Sequence, residues 1–542
     1  MKTVAALDGR TVLVLGLGDS GLAMARWCAR QGATVRVWDS RAQPPQAAAL
    51  AEHVAAASLL GRPLAPADLE GVDRVLRSPG LAPADERIAP TLAAAAAAGI
   101  VVQGELDLFA EALAALRVAC DYAPRVIAIT GTNGKTTTTA MTALLVERSG
   151  LRAVAAGNIG PTMLQSLADA IDAIDEPTAS AAPDAPDDDA APGVARAGKL
   201  PQVWVLELSS FQLDAATAFE SDAAALLNLS QDHLDWHGSE AAYAAAKAKV
   251  FGRQAVVVVN RDDAAALRQV PAPVAAPTRK GRPPRWLERR VVRFGAGLPQ
   301  RPGDYGIAVD NDMAWLVRAR DAEAGEARGA TASLPVEVDL QHLMPADALR
   351  VRGRHNATNA LAALALAEAI GCPLAPMLHG LREYRGEPHR VEHVGRIDDV
   401  DAFDDSKGTN VGATVAALDG LGADRAPARL VVILGGDGKG QDFTPLVEPL
   451  RRHARAVVTL GRDAAVIETV VATAGVPCQR APSLEQAVEA AFDAAVAGDA
   501  VLLSPACASL DMFRNYGHRA EVFVAAVERR AEARVGHPEV SA

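Results

Sequence analysis

The chain has 542 residues, and at about 150 residues per domain this length predicts roughly three or four domains. Half of the residues are apolar, 4% are aromatic and 22% are charged, which excludes a mostly disordered chain, a collagen-like chain and a small disulfide-stapled domain. The formal net charge is −12, which argues against general nucleic-acid binding but still allows a local site for a small anion.

The spacing of the cysteines and the lack of long apolar runs indicate the cellular compartment of the protein. The five cysteines are far apart and none forms a C-x-x-C motif, which is typical of reduced thiols in a cytosolic protein. We expect no signal peptide, and no stretch approaches the ~18 apolar residues of a membrane-spanning helix. The sequence therefore predicts a cytoplasmic protein without membrane insertion.

The first predicted strand, Thr11 to Leu15, runs into a glycine-rich turn at residues 16–21 (GLGDSG), and Asp39 ends the next predicted strand. This is the dinucleotide-binding fingerprint, in which glycines let the backbone approach a diphosphate and the carboxylate binds ribose hydroxyls. NAD, FAD and a sugar nucleotide would all suit it, and a plain tight turn remains an alternative. Residues 78–80 (SPG) could form a second turn lining the same crevice.

The strongest signal is at residues 125–139 (RVIAITGTNGKTTTT), where a β-rich run enters a glycine-rich turn and then a helix. Backbone N–H groups and the helix dipole at such a turn favour a phosphate. Lys135 would reach the β and γ phosphates, and the Thr136 hydroxyl could bind Mg²⁺. The pattern is a close variant of G-x-x-x-x-G-K-T, because Ile129 stands where the first glycine is expected.

Further candidates follow two predicted strands downstream. Glu207 lies near the end of the run 203–208, where a carboxylate beside a phosphate loop commonly holds Mg²⁺, although a surface or helix-capping glutamate is the alternative. His233 and His237 are four residues apart, but the segment lacks the H-E-x-x-H pattern, so we favour one functional histidine over a zinc pair. By sequence alone, Lys247 is interpreted as a solvated lysine on the predicted helix 240–250.

Short β-branched runs alternate with helical patterns along the chain, which predicts βαβ units around parallel sheets in three blocks. The predicted strands are 11–15, 126–130, 203–208, 256–260 and 430–434. Two stretches look like insertions. Residues 169–200 are rich in Ala, Pro and Asp and are predicted to be a disordered surface loop. Residues 271–302 are rich in Pro and Arg, for which we favour a solvated loop running into an ordinary strand over a specific anion or RNA patch.

Eight motifs then occur in order: GTNGKTT (131–137), ELSSFQL (207–213), DHLDWHG from Asp232 with Lys247 downstream, GRHNATN (353–359), PHRVE (388–392), DDSKGTN (404–410), GGDGKG (435–440) and SPACASLDMFRNYGHR (504–519). Together they resemble the Mur ligases, and within that family the members that add D-glutamate. The resemblance runs from about residue 7 to about 526 and implies three α/β domains. These would be a Rossmann-like UDP-binding domain (1–120), a central P-loop ATPase domain with a mostly parallel sheet (121–388), and a Rossmann-like domain (389–542) that binds ATP and D-glutamate.

The resemblance also implies a role for each matching position. The positions implied for the UDP-sugar substrate are Asp19, Ser20, Asp39, Ser40, Arg41, Ser78, Gly80, Asn158 and His233. Those implied for ATP are Gly131, Thr132, Asn133, Gly134, Lys135, Thr136, Thr137, Asn359, Arg390 and Asp405. Those implied for D-glutamate are Thr409, Lys439, Ser509, Leu510 and Tyr516, the last of which is commonly Phe. Two Mg²⁺ would be held by Thr136, Glu207, His233 and Lys247, with Lys247 carbamylated by CO₂.

The implied activity is an ATP-dependent amide ligation. The γ-phosphoryl group of ATP would pass to the carboxylate of UDP-N-acetylmuramoyl-L-alanine, and the nitrogen of D-glutamate would displace phosphate from the acyl phosphate. Lys135, Glu207, His233, Lys247 and Arg390 are the implied catalytic set. We expect a monomer whose partners are these small molecules.

Other classes of function fit less of the sequence. An NAD-dependent dehydrogenase would explain residues 16–21 but leaves 131–212 unexplained. A nucleotide-regulated binding protein without ligase chemistry would be expected to lack Glu207, His233 or Lys247. Folylpolyglutamate synthase would place its GTNGK loop near the N-terminus, and the diaminopimelate-adding Mur ligase would show an Asn-Pro-Arg motif where this chain has DMFR.

Overall fold

The computed structural model describes residues 7–175, 198–275, 286–322, 338–351 and 353–535. Three parallel or mostly parallel sheets follow one another along the chain, which confirms the predicted α/β class. Each of these sheets lies between helices, with two smaller antiparallel sheets attached to the middle one.

The N-terminal sheet is fully parallel and has the strand order β3-β2-β1-β4-β5. Its strands are β1 (Thr11–Leu15), β2 (Thr34–Trp38), β3 (Ser58–Leu60), β4 (Arg74–Arg77) and β5 (Val101–Gln103), and its helices are α1 (Asp19–Arg30), α2 (Ala47–His53), α3 (Ala89–Ala97) and α4 (Glu105–Cys120). The chain leaves β1 in one direction to β2 and later returns on the other side as β4. The loop after β1 therefore lies at the switch point where ligands of such sheets bind.

The central sheet is also parallel, with the order β13-β10-β9-β6-β8-β7. Its strands are β6 (Arg125–Thr130), β7 (Ala153–Gly157), β8 (Val203–Glu207), β9 (Ala223–Leu226), β10 (Val256–Asn260) and β13 (Val291–Phe294). The associated helices are α5 (Lys135–Arg148), α6 (Met163–Asp175), α7 (Ser210–Ala215), α8 (Leu234–His237), α9 (Glu240–Ala248), α10 (Ala264–Leu267), α11 (Arg354–Ala369) and α12 (Leu374–Glu383). The antiparallel additions are β11 (Val274–Ala275) with β12 (Trp286–Leu287), and the meander β14 (Tyr305–Asp310), β15 (Met313–Asp321) and β16 (Val338–Pro345).

The C-terminal sheet has the order β17-β18-β22-β19-β20-β21, in which β17 is antiparallel to β18 and the other pairs are parallel. Its strands are β17 (Glu392–Ile397), β18 (Val400–Asp404), β19 (Leu430–Gly435), β20 (Ala454–Leu460), β21 (Cys478–Arg480) and β22 (Ala500–Leu503). Its helices are α13 (Val411–Arg425), α14 (Val447–His453), α15 (Ala464–Ala474), α16 (Leu484–Ala494) and α17 (Tyr516–Val535).

The strand sequences explain why each sheet is covered on both faces. Val12 and Val14 of β1 belong to one hydrophobic cluster, while the alternate residues Leu13 and Leu15 belong to another. The same alternation divides the residues of β6 and of β19 between two clusters each. Near-continuous apolar strands of this kind are expected where helices cover both faces of a parallel sheet.

One hydrophobic cluster is shared by the N-terminal and central sheets. It contains Phe109 from α4, Leu164 and Leu167 from α6, and Trp204 from β8, and the rings of Phe109 and Trp204 meet edge to face with their centroids 5.2 Å apart. Arg30 of α1 also pairs with an aspartate of α6, at 2.7 Å. The two clusters of the C-terminal sheet, as far as the described residues show, contain residues from 391 onward alone. The first two sheets are thus packed as one body, and the third has a core of its own.

Both predicted insertions need correction. Residues 169–175 belong to α6, because Leu164, Leu167 and Ile171 recur at helical spacing and are buried; residues 176–197 lie outside the described part of the chain. In the Pro/Arg-rich stretch, Arg289 donates hydrogen bonds to the carbonyl oxygens of Phe251 (2.5 Å), Gly252 (3.0 Å) and Ala255 (2.7 Å). A solvated loop is therefore wrong for Arg289, while residues 276–285 are not described.

Candidate active site

The glycine-rich loop after β6 forms a tight turn against the start of α5. Gly134 has φ = 79°, and a Cβ atom there would lie 2.6 Å from Asn359 Oδ1, so glycine is required. Since α5 begins at Lys135, its free N–H groups and the positive end of its dipole face this loop. Lys135 Nζ donates to the carbonyl oxygens of Gly131 (2.9 Å) and Thr132 (2.8 Å), and burial lowers the pKa of Lys135. The loop has the backbone that a phosphate site requires.

Glu207 ends β8 directly beside the strand that leads into this loop, paired in register with Ile129. Its Oε1 accepts a hydrogen bond from Asn158 Nδ2 at 2.7 Å. Its Oε2 is buried and has no hydrogen-bond partner among the described residues. A buried, unpartnered carboxylate oxygen is costly unless a cation or donor satisfies it, so the chemistry of Glu207 fits a magnesium ligand.

His233 precedes the short helix α8 and has a left-handed backbone, with φ = 52°. Its ring packs edge to face on Phe211, with ring centroids 4.7 Å apart. Burial lowers the pKa of His233; the charge of Asp232 opposes this effect, and the charges of Lys439 and Lys135 add to it. A neutral imidazole is the form that binds a metal. His237 Nε2 lies 2.9 Å from Ser210 Oγ.

Lys247 is buried, with 2% of its surface exposed, so the expectation of a solvated helix lysine is wrong. Its Nζ donates to Gly131 O at 2.8 Å and to Thr130 Oγ1 at 3.3 Å. Burial lowers its pKa far below the usual value, and the charge of Lys135 adds to this effect. Burial of this kind disfavours the charged ammonium form and favours the uncharged amine, which is the nucleophilic form.

Tyr243, which no sequence motif indicated, belongs to the same cluster. Tyr243 OH lies 2.9 Å from Thr132 Oγ1 in the phosphate loop, and Lys247 Nζ lies 4.9 Å from the centre of its ring. Tyr243 stands four residues before Lys247 on α9, so both side chains are on one helix face. The four-residue spacing between Tyr243 and Lys247 is the sequence feature that could have indicated this contact.

A cleft at the phosphate loop is lined by residues from both the central and the C-terminal parts of the chain. Six of the residues implied for ATP line it: Asn133, Gly134, Thr137, Asn359, Arg390 and Asp405. Arg390 Nη2 donates to Thr136 Oγ1 at 2.7 Å, and Asn410 Nδ2 donates to Asn133 Oδ1 at 3.2 Å. Burial raises the pKa of Asp405 to about 7, although Ser504 Oγ donates a hydrogen bond to its carboxylate at 2.6 Å.

The residues implied for D-glutamate lie on loops at the carboxyl ends of adjacent strands. Thr409 follows β18, Lys439 follows β19, and Ser509 follows β22, and these three strands are neighbours in the sheet. Ser509 is buried, whereas Leu510 is 70% exposed and Tyr516, which begins α17, is 38% exposed. The sheet therefore brings these five residues together at the carboxyl ends of its central strands, with Leu510 and Tyr516 on the side exposed to solvent.

A second overlooked residue is Lys407, which lies inside the DDSKGTN motif. Its Nζ lies 5.3 Å from the centre of the Tyr516 ring. Burial lowers its pKa, the charge of Arg390 lowers it further, and the charge of Glu207 opposes both. Lys407 thus stands between the groups implied for ATP and those implied for D-glutamate.

The N-terminal sheet contributes a cavity of about 640 Å³ beyond the ends of β2 and β3. It is lined by three of the implied UDP residues, Asp39, Ser40 and Arg41, and also by Arg62 and Arg87, which no sequence pattern had indicated. Asp19, Ser20, Ser78 and Gly80 are not part of the lining formed by the described residues. Ser78 Oγ instead donates to Gly16 O at 2.9 Å and joins the two turns predicted to share a crevice.

Asp39 is held by its neighbours. Its carboxylate accepts a hydrogen bond from Leu17 N at 2.6 Å and two from the Arg41 guanidinium at 2.8 Å. Burial acts to raise its pKa, but the bonds from Arg41 and Leu17 outweigh burial and lower the pKa to about 2. Asp39 is therefore ionised and fixes both the glycine-rich turn and Arg41.

Family comparisons agree with this layout. Residues 10–104 match the model for the Mur ligase MurD-like N-terminal domain, residues 129–275 that for the Mur ligase middle domain, and residues 389–507 that for the Mur ligase glutamate ligase domain. The chain is 54% identical over 530 residues to the UDP-N-acetylmuramoylalanine--D-glutamate ligase of Albidiferax ferrireducens, covering 97% of this chain and 98% of that protein. The chain belongs to the Mur ligase family.

This Mur ligase has a second similar relative in Burkholderia pseudomallei, a protein of the same name that is 55% identical over 525 residues, or 95% of this chain and 96% of that one. Among solved structures, the UDP-N-acetylmuramate-alanine ligase MurC of Thermotoga maritima has a TM-score of 0.52 at 18% identity, covering 96% of this chain and 99% of that one. A pseudomurein peptide ligase type C from Methanothermus fervidus has a TM-score of 0.51 at 16% identity, covering 96% and 100%. These distant structures show that the fold is shared. Within the described residues of this Mur ligase, no helix has the length and apolar character needed to span a bilayer.

Proposed function

We propose that the protein joins D-glutamate to UDP-N-acetylmuramoyl-L-alanine, with hydrolysis of ATP to ADP and phosphate, as a cytoplasmic step of peptidoglycan biosynthesis. The observation that carries this proposal is that relatives sharing more than half of their residues with nearly the whole chain bear the name UDP-N-acetylmuramoylalanine--D-glutamate ligase. The geometry supports it, because the phosphate loop faces the ATP cleft and the amino-acid loops, and the N-terminal sheet adds a further cavity. We infer a monomer of three domains, 1–120, 121–388 and 389–542.

Phosphoryl transfer is assigned to the phosphate loop and to Arg390. The N–H groups of residues 131–137 would bind the ATP phosphates, and Lys135 and Arg390 would offset the negative charge that shifts from ATP to the alanyl carboxylate. Arg390 already contacts Thr136 from the C-terminal side, so it is placed to act on a group bound in the loop. Asn359, which lies against Gly134 of the loop, and Asp405, which lines the same cleft, would complete the ATP site.

The residues proposed for two Mg²⁺ have suitable chemistry. Glu207 offers a buried oxygen without a partner, His233 a neutral imidazole, and Thr136 a hydroxyl at the start of α5. The ions would neutralise phosphate charge during transfer. Asn158 holds the Glu207 carboxylate in place through Oε1, which leaves Oε2 available. In this way Asn158 would serve the metal site as well as the nearby substrate arm.

Lys247 would supply a further oxygen ligand as a carbamate. Its uncharged Nζ would attack the carbon of CO₂ and lose one proton, which converts the amine into an anionic group with two oxygen atoms. Burial favours this reaction because it already stabilises the uncharged amine. Tyr243 and Thr132 would fix the position of the side chain.

Selection of the amino acid is assigned to the loops at the carboxyl ends of β18, β22 and β19. D-Glutamate carries two carboxylates, and Lys439 with the hydroxyls of Thr409 and Ser509 would bind them. Leu510 and Tyr516 would cover the carbon chain from the open side. The UDP group would occupy the cavity beside Ser40 and Arg41, with Asp19, Ser20, Asp39, Ser78 and Gly80 shaping the adjoining loops.

The test is phosphate release from ATP with UDP-N-acetylmuramoyl-L-alanine and a panel of amino acids that includes L-glutamate, D-alanine and meso-diaminopimelate. We expect turnover to require D-glutamate and the nucleotide sugar together. Phosphate release that is independent of D-glutamate, or faster with another amino acid, would exclude the assignment.

A further inference from the structure

Arg519 is among the largest fully buried side chains of the described residues, with 2% of its surface exposed. It lies one turn inside α17. Its Nη2 donates to Ser406 O at 2.7 Å, and its Nη1 donates to Cys507 O at 3.2 Å. One guanidinium group therefore joins two backbone segments that are about 100 residues apart along the chain.

Both segments lead directly into the loops that carry the residues implied for D-glutamate. Ser406 lies in the loop after β18, three residues before Thr409, and Cys507 lies in the loop after β22, two residues before Ser509. Tyr516 is three residues before Arg519 on the same helix. The side chain of Arg519 thus connects the three parts of the chain that present Thr409, Ser509 and Tyr516.

The electrostatic surroundings of Arg519 are unusual for a buried cation. It has no salt-bridge partner in the described part of the chain, and burial lowers its pKa to about 10, opposed by the more distant charges of Asp511, Asp404 and Asp405. A cation buried against carbonyl oxygens is costly, and an apolar side chain would often be as stable. What an apolar residue could not do is hold two carbonyl groups at a fixed separation with a rigid planar fork.

We propose that Arg519 is a positioning residue for the amino-acid site, which sets the spacing between the loop that carries Thr409 and the loop that carries Ser509. This inference rests on the proposed function. Arg519 would not touch the substrate; it would keep the hydroxyl groups of both loops at the separation that the two carboxylates of the amino acid require. A second contact joins the same two loops where they leave the sheet: Ser504 Oγ, after β22, donates a hydrogen bond to the carboxylate of Asp405, after β18.

The experiment compares Arg519→Ala and Arg519→Lys with Arg530→Ala. Arg530 is on the same helix, is also buried, and bonds to Glu489 and Asp493 away from the site, so it controls for the loss of a buried arginine from α17. For each variant the KM values for D-glutamate, ATP and the nucleotide sugar are measured, together with thermal unfolding and the effect of added methylguanidinium.

We expect KM for D-glutamate to rise about tenfold or more in Arg519→Ala, with the other two KM values changed less than about twofold. Methylguanidinium should lower that KM in Arg519→Ala and leave the wild type unchanged. Arg519→Lys should show the same split, because a lysine cannot bridge both carbonyl groups in one plane. Arg530→Ala should lose stability without a change in KM for D-glutamate.

An unchanged KM for D-glutamate in both Arg519 variants, or an equal rise in all three KM values, would overturn the inference. If Arg519→Ala does not fold, the KM split in Arg519→Lys decides. If the wild type uses another amino acid, the proposed function fails, and the KM split for that amino acid still tests the role of Arg519.

Discussion

Lys247 shows how strongly a fold can change the chemistry of one side chain. Lys247 and Lys249 are only two residues apart in the sequence. Lys247 is buried against Thr130 and Gly131, whereas Lys249 is exposed and donates a hydrogen bond to Asp214 O. Burial lowers the pKa of Lys247 and so favours the uncharged amine, which is the form that the proposed carbamate requires.

Replacing Lys247 tests the proposed carbamate. We expect Lys247→Ala to lose about a hundredfold or more in turnover, because a metal ligand is removed, and to regain activity when short carboxylic acids such as acetate or propionate fill the space. Turnover with and without these acids is the measurement, and Lys249→Ala is the control that should stay near wild type. An absence of rescue, together with no carbamate signal in ¹³C NMR of the enzyme equilibrated with labelled bicarbonate, would contradict the carbamate.

Some residues of the site could be predicted from local sequence patterns, and others could not. Gly134 and Lys135 were predictable because a phosphate loop has a fixed local spacing. The burial of Lys247, the contact of Tyr243 with Thr132, and the approach of Lys407 to Tyr516 depend on segments that are distant in the chain. Local patterns contain no information on such contacts, so the resemblance to a family had to supply the role of Lys247.

At the scale of elements, the strands were predictable and the insertions were not. The short β-branched runs predicted β1, β6, β8, β10 and β19 to within one residue at each end. The composition of residues 169–175 predicts a loop, because alanine and aspartate recur there as they do in the sequence that follows. The apolar spacing of Leu164, Leu167 and Ile171 was the better signal, since it continues through Asp169.

The Pro/Arg-rich stretch contains one arginine with a structural function. Arg289 satisfies the carbonyl oxygens of Phe251, Gly252 and Ala255 where the chain turns into β10. We expect Arg289→Ala to lower the free energy of unfolding by about 1–3 kcal/mol, because three acceptors lose their donor. Urea denaturation measures this loss, and Arg290→Ala, at an exposed neighbouring position, should change it by less than about 0.5 kcal/mol. Equal effects of the two substitutions would show that the Arg289 bonds do not stabilise the turn.

At the scale of the whole molecule, the three sheets are not equally joined. The N-terminal and central sheets share a hydrophobic cluster, whereas the C-terminal sheet meets the phosphate loop through polar contacts such as Arg390 to Thr136 and Asn410 to Asn133. Hydrogen bonds across a polar cleft exchange readily with water, while a shared apolar core does not. Movement during the reaction should therefore be a movement of the C-terminal domain.

Ligand binding should close this cleft. We expect small-angle scattering to give a smaller radius of gyration when a non-hydrolysable ATP analogue and the nucleotide sugar are added, because the sites for one reaction lie on separate domains and have to converge. Fluorophore pairs locate the change: a pair between the central and C-terminal domains should shorten its distance, and a pair between the N-terminal and central domains should not. Identical dimensions with and without ligands would contradict domain closure.

The shared cluster also determines how this chain can fold while it is being made. The ribosome releases α1 and α4 before α6 and β8 exist, so Phe109 and its neighbours lack Leu164, Leu167 and Trp204 during that interval. At about 5–20 residues per second the interval lasts on the order of 10 s. The apolar face of α4 on the nascent protein is thus expected to stay uncovered until α6 and β8 have been made.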